Sequence, residues 1–219
     1  STRVNEIILD NAVAKGVKTD EGSEAFDVVI SNMDVYNTYH KLMPSAKKPK
    51  RTLEQPKSSS GIIFYWGIKK SFDQLKLHNI LFAKNYREEF ESIFSKQAIY
   101  HDPTIYVNIT SKHTPKDAPE DCENWFAFIN VPNNQGQDWD AFINEAREAI
   151  IKKVDRMLGT DLRSLIECEL VFDPRVIENR TSSAVGAIYG NSSNNKFSAF
   201  LRHANFSNNI KYISYDTII

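Results

Sequence analysis

The residues of this chain that could do chemistry are few and poorly spaced for most of it. Five histidines (His40, His78, His101, His113 and His203) show no paired ligand spacing, which argues against a metal centre. His101 and Asp102 are adjacent, as half of an acid/base pair would be. The following Pro103 instead predicts a turn in which Asp102 bonds nearby backbone. There is no G-x-G-x-x-G dinucleotide fingerprint, no phosphate-cradling Walker loop and no G-x-S-x-G nucleophile elbow. Cys122 and Cys168 match no metal or redox spacing. They fit buried small hydrophobes in a reducing compartment better than a disulfide. Sequons at Asn108, Asn179, Asn191 and Asn205 carry no weight without a secretory signal. No residue stands out as a catalytic base.

What the chain offers is apolar, aromatic surface. Hydrophobic residues make up 41% and charged residues 25% of 219, an ordinary globular balance long enough for a sizeable core. The net charge of −1 gives no global field for nucleic acid, and the aromatics lie in apolar strands without interleaved Arg or Lys. No segment is long and apolar enough to span a bilayer. A cytoplasmic location follows from these features as an expectation.

The elements that must position this surface begin with a predicted β-meander: strands over residues 4–9, 12–19 and 26–30, separated by Asp10-Asn11 and Asp20-Glu21-Gly22 turns. Asp34 predicts the cap of a helix over 35–43, stopped by Pro44. Residues 45–60 read as a solvated loop, with Lys47, Lys48, Lys50 and Arg51 as its basic cluster. Residues 61–68 (GIIFYWGI) form a strand whose two faces both need cover, with Phe64 and Trp66 on one and Tyr65 on the other.

A short strand over 77–82 precedes a helix over 84–96, with Tyr86, Phe90, Ile93 and Phe94 as its buried stripe. Two strands over 104–110 and 124–131 follow. A long helix then runs from Asp138 to Gly159, burying Trp139, Phe142, Ile143, Ala146, Ile150, Val154 and Met157. Thr160 starts a short helix, 167–172 is a strand, and Asp173-Pro174 opens another helix. The Ser/Asn-rich stretch 181–209 is expected to be a functional loop. The abrupt start and the strand-like run over 212–219 suggest a piece of a longer chain.

An ordered series of short motifs resembles the bacterial carotenoid desaturases related to phytoene desaturase, in the amine-oxidase-like flavoprotein superfamily. Val29-Ile30-Ser31-Asn32-Met33-Asp34 is similar to V-x-S-N-A-D, with Met33 in place of Ala. Ser58-Ser59-Ser60 with Phe64-Tyr65-Trp66-Gly67 is similar to S-x-S-x-F-x-x-Y-x-G, and Leu77-His78-Asn79-Ile80-Leu81-Phe82 to H-H-x-I-x-F. Asp102 to Tyr106, Thr114 to Pro119, and Trp125 with Asn130-Val131-Pro132-Asn133 extend the series. Gly186 to Ser193 and Ala199 to Ser207 close it, with His203 where the family has Pro. The Asn130-Val131-Pro132-Asn133 and His78-Asn79-Ile80 versions are nearest the hydroxycarotenoid 3,4-desaturase branch.

The resemblance implies an α+β fold: a mixed or antiparallel sheet with flanking helices, forming the substrate domain of an amine-oxidase-like flavoprotein plus a β-meander remnant of its FAD domain. It implies boundaries of 1–34 for the remnant, 35–209 for the substrate-binding domain and 210–219 for a strand returning toward the FAD domain. FAD is the implied cofactor of the parent enzyme, with Val4, Asn32 and Met33 as candidate contacts. The implied partner is an acyclic or monocyclic carotenoid, taken from the inner face of the cytoplasmic membrane by a peripheral enzyme. Candidate residues of the carotenoid wall are Phe64, Trp66, Phe82, Tyr106, Phe126, Phe197, Phe200 and Arg202. A related flavin amine oxidase, a carotenoid isomerase and a non-enzymatic lipid-binding module are the alternatives.

Overall fold

The computed structural model describes residues 2–192, 203–207 and 209–215. Two compact units divide it, Ser1–Ser58 with Ile177–Ile219, and Ser59–Val176.

The first unit opens with the antiparallel strands β1 (Val4–Asp10) and β2 (Val13–Thr19). Asn11 and Ala12 both have positive φ (47° and 60°), the two-residue hairpin turn whose twist matches its strands. A second tight turn leads to β3 (Gly22–Ala25), antiparallel to β2. The strand expected over 26–30 is therefore corrected. Pairing with β2 starts at once after the turn, so Gly22–Ala25 takes the ladder, and Val29–Ser31 forms a separate strand, β4.

Gly16 lies where β2 meets β3. A Cβ there would come within 2.0 Å of the Glu24 carbonyl oxygen, which is backbone and cannot yield. Gly16→Ala is expected to lower stability by about 1–3 kcal/mol. Thermal or urea unfolding checks it, and an unchanged midpoint would contradict the packing.

Helix α1 (Val35–Asn37) is capped by Asp34, whose side chain accepts from the Tyr36 amide, and it runs on into a π-helical turn over Thr38–Leu42. The loop expected next contains one helical turn, α2 (Lys50–Leu53), anchored by buried Leu53.

The second unit is a five-stranded, fully antiparallel sheet. Its strands are β5 (Ser60–Ile68), β6 (His78–Leu81), β7 (Ile105–Asn108), β8 (Glu123–Val131) and β9 (Ile166–Phe172), in the order β6-β7-β8-β5-β9. Between β6 and β7 lies α3 (Tyr86–Glu91), continued by a π-helical turn over Ser92–Lys96. Its stripe is corrected: Ile93 is buried, whereas Tyr86 is 59% exposed and Phe90 is also exposed. The buried side chain one turn before Ile93 is Glu89, which accepts from the Thr104 amide (2.6 Å) and hydroxyl (2.7 Å). Satisfying those two donors turns Glu89 and Ile93 inward together, leaving Tyr86 and Phe90 outside.

Helix α4 (Trp139–Leu158) covers one face of the sheet. Asp138 caps it by accepting from the Ala141 amide, and Gly159 ends it at φ 61°. Trp139, Ala146, Ile150 and Val154 pack against Ile62, Phe64, Trp66, Ile105, Val107, Trp125, Ala127 and Ile129. Two residues depart from the expected stripe: Met157 is exposed, and Lys153 is buried. Asp161, not Thr160, caps α5 (Leu162–Leu165) by accepting from the Ser164 amide. Helix α6 (Pro174–Thr181) starts at the expected Asp173-Pro174, with Asp173 accepting from the Arg175 and Val176 amides.

Back in the first unit, β10 (Ile213–Tyr215) pairs in parallel with β4. Tyr215, buried, donates to Tyr39, which also meets Nε2 of His203 at 3.2 Å. Among the described residues no helix is long and apolar enough to cross a membrane.

Candidate functional site

Antiparallel register puts directly paired residues on the same face of a sheet. In the second unit, Tyr65 pairs with Phe126 and with Leu170, and Gly67 pairs with Asn124 and Cys168. Phe126 pairs with Asn108, and Phe128 with Tyr106, which pairs in turn with Ile80; His78 pairs with Asn108. These side chains share the face that α4 leaves open. Tyr65 meets Phe126 and Phe172 edge-on with ring centroids 5.4 Å apart, and Tyr106 meets Phe126 at 6.1 Å. The result is an aromatic row across the sheet. Tyr65 and Phe126 of this row line an apolar cleft of about 870 Å³, bordered by Ala118, Pro119, Cys122, Asn124, Cys168 and Leu170. That size is in the range of small-molecule sites.

Gly67 keeps this floor open, because a Cβ there would lie 2.7 Å from Sγ of Cys168. The two cysteines are free, but neither is fully buried as expected. Cys168 is exposed because β9 is an edge strand and the residue points to the uncovered side.

Phe64 (0% exposed) and Trp66 (2%) point the other way, beneath α4. The Arg147 guanidinium lies 5.4 Å from the Phe64 ring centroid. The Trp66 indole N–H donates to Glu169 at 2.7 Å, and Arg147 grips the same carboxylate at 2.8 and 2.9 Å. Burial works against ionisation of Glu169, but the hydrogen bonds from Arg147 and Trp66 and the Arg147 charge hold its carboxyl below the usual range. Phe64 and Trp66 are thus tied into the core, and within the second unit the described residues cover that face of β5 with α4.

Of the other wall candidates, Tyr106 and Phe126 stand together on the open face. Phe82 lies just beyond β6 and is 69% exposed. Phe197, Phe200 and Arg202 lie outside the described residues. Sequence reasoning missed Tyr65, Leu170, Cys168 and Gly67, although the alternation along β5 separates Tyr65 from Phe64 and Trp66.

The three candidate cofactor contacts come together in the first unit. Val4, Asn32 and Met33 line one pocket of about 730 Å³, along with Arg3, Lys41 and Arg180. Three cationic side chains beside apolar Val4, Ile30 and Met33 suit a ligand that is part anionic and part apolar.

His101 and Asp102 form no acid/base pair. Asp102 does accept from a backbone amide, but from that of Lys84 at 2.9 Å, 18 residues away in the chain, and not from the neighbouring backbone expected of a local turn. It also meets Lys153 Nζ at 3.2 Å and Arg156 at 3.3 Å, partners that local sequence does not reveal.

A similar fold occurs among solved structures. The chain resembles the crystal structure of an oxidoreductase from Methanosarcina mazei with a TM-score of 0.64 at 12% identity, over 98% of this chain and 43% of that one. Sequence comparison goes further. A 1-hydroxycarotenoid 3,4-desaturase from Flavobacterium sp. is 52% identical over 207 residues, covering 94% of this chain and 42% of that protein. A phytoene desaturase from Fusarium fujikuroi is 34% identical over 214 residues, covering 87% of this chain and 38% of that protein. Over nearly its whole length the chain is thus similar to carotenoid desaturases. It spans about two fifths of the length of these relatives. No protein-family model matches it.

Proposed function

We propose that this chain forms the carotenoid-facing part of an FAD-dependent carotenoid desaturase that introduces a conjugated C=C bond into an acyclic or monocyclic carotenoid. The observation that carries the reading is the open aromatic face of the second unit. A polyene has almost no polar atoms, so its site must be apolar and long, and the row through Tyr65, Phe126 and Tyr106 has that character. Leu170 and Phe82 extend it, and Phe197, Phe200 and Arg202 are assigned to the same wall. Phe64 and Trp66 serve the wall indirectly, as the packed layer beneath it.

In this reading 35–209 is the substrate-binding region, and 1–34 with 210–219 belongs to the flavin-binding domain. Val4, Asn32 and Met33 would contact the FAD, with Arg3, Lys41 and Arg180 toward its diphosphate. The chemistry a bound flavin supplies is hydride acceptance, which with loss of a proton from the neighbouring carbon leaves the new double bond. This chain's own residues bind the polyene, align it and exclude water. Because the substrate class partitions into lipid, the parent enzyme works as a peripheral protein at the inner face of the cytoplasmic membrane.

The test is to express the complete reading frame in cells that make acyclic carotenoids and to analyse the pigments. A product with one more conjugated double bond and red-shifted absorption is expected. A flavin-loaded protein that leaves every carotenoid unchanged would overturn the reading.

A further inference from the structure

The first unit carries a run of like charge that its own side chains leave unneutralised. Between Asp34 and Asp73 the only acidic residue is Glu54, and in that stretch Lys47, Lys48, Lys50 and Arg51 put four cations into five positions. The chain as a whole has a net charge of −1, so the run is a local feature and not a reflection of composition. Five residues span at most about 18 Å even when fully extended, so the four charges form one patch. The segment is also pinned. Met43 (1% exposed) and Leu53 (2%) are buried in the core of the first unit, and Ala46 packs against it. Between these anchors the Lys50 amide donates to the Lys48 carbonyl at 2.9 Å, and the Leu53 and Glu54 amides close α2 on the Pro49 and Lys50 carbonyls.

Lys47, Lys50 and Arg51 are exposed and Lys48 is partly so. Among the described residues none of the four side chains makes an ion pair or a hydrogen bond, not even with Glu54. Exposed cations of the second unit do find carboxylates: Lys69 meets Glu167 at 3.6 Å, Lys96 meets Glu91 at 3.5 Å, and Arg163 meets Glu148. A surface built only for solubility intersperses the two signs. A pinned, unpaired run of one sign, with no exposed large apolar side chain between Lys41 and Lys57, suits a polyanionic surface recognised by charge alone. Nucleic acid is the poorer match, because no Phe, Tyr or Trp lies between Tyr39 and Phe64 to stack a base.

We propose that Lys47, Lys48, Lys50 and Arg51 dock the protein on the anionic headgroups of a lipid bilayer. The proposal rests on the peripheral-membrane reading above and adds which residues make the contact and which lipids they select. A polybasic run beside an anionic leaflet is attracted to it, and the attraction falls off within a Debye length. The contact is reversible, because no apolar group of the run enters the bilayer.

The test is co-sedimentation of this chain with sucrose-loaded vesicles, one set of phosphatidylcholine alone and one with about 30% phosphatidylglycerol. Wild type is expected to sediment with the anionic vesicles at low salt, to stay in solution with the neutral ones, and to be released at about 0.5 M salt. Changing Lys47, Lys48, Lys50 and Arg51 together to Gln is expected to weaken binding to the anionic vesicles at least about a hundredfold. These side chains have no partners to lose, so the unfolding midpoint should stay unchanged in that variant. The charge-matched control changes four exposed lysines of the second unit, Lys76, Lys84, Lys116 and Lys152, to Gln and is expected to keep most of the binding. No binding, equal binding to both vesicle types, or an equal loss in the control would overturn the proposal. So would tighter binding to a duplex oligonucleotide than to anionic vesicles at the same phosphate concentration. None of these outcomes touches the pigment assay, which tests the desaturase reading separately.

Discussion

Lys153→Met is expected to cost about 3–5 kcal/mol of folding stability, the typical loss when one partner of a buried ion pair is removed. Lys153 is 3% exposed, and its ammonium is fully engaged, donating to the Phe82 carbonyl (2.8 Å), the Pro103 carbonyl (2.7 Å) and Asp102. The methionine would fill the space of the stem but leave two carbonyls and a carboxylate without their donor. Arg156, half exposed at 3.3 Å from Asp102, would compensate only in part. Adding Asp102→Asn should recover part of the loss, because the uncompensated charge is then gone.

The pH dependence of this cluster has a definite sign. Burial pushes the Asp102 carboxyl up, but the Lys84 amide, Lys153 and Arg156 outweigh it and hold the carboxyl below its ordinary value. A folded-state value below the unfolded one means the stabilisation is complete above the unfolded pKa of about 3.9 and fades as pH falls through the folded value. The difference between wild type and Lys153→Met should therefore be largest near neutral pH and shrink below about pH 4. Urea unfolding at several pH values checks both statements. A constant difference down to pH 3 would contradict them.

The second large effect concerns the wall. Leu170→Lys places a charge on the open face of edge strand β9, opposite Tyr65, where a bound polyene would have to desolvate it. Polyene affinity is expected to fall by at least about a hundredfold. Leu170 is largely solvent-exposed, so the fold should tolerate the change within about 0.5 kcal/mol. Phe64→Leu is the converse control. It should lower stability through lost packing under α4 while changing polyene affinity little. Equal loss of binding in both variants would show that the face has been misassigned.

These contrasts also show what the residues alone could reveal. Alternation along β5 separates Phe64 and Trp66 from Tyr65, because side chains in a strand alternate faces whatever covers them. Which face stays open depends on α4, supplied more than seventy residues later, and Tyr65 is as aromatic as its neighbours. The helical spacing of Tyr86 and Phe90 was legible as well, but burial of Glu89 against Thr104 decided which side turned inward.

Caps and breakers were the most readable features. Asp34, Asp138, Gly159 and Asp173 act where expected, because each satisfies backbone groups within a few residues of itself. Asp102 with Lys153, and His78 with Asn108, join residues far apart in the chain. Such pairs are created by strand register and helix packing, and no local pattern announces them.

The account's central claim is that a polyene lies on the open face of the second unit, and the protein's two cysteines offer a direct way to see it. Both line the cleft, Cys168 exposed and Cys122 partly so. The measurement is the rate of maleimide labelling of each cysteine, with and without saturating acyclic polyene, followed by mass spectrometry. Bound polyene is expected to slow labelling of Cys168 strongly and of Cys122 measurably, and Leu170→Lys should abolish that protection. Unchanged labelling rates under conditions where the polyene is bound would place it elsewhere on the protein and contradict the account.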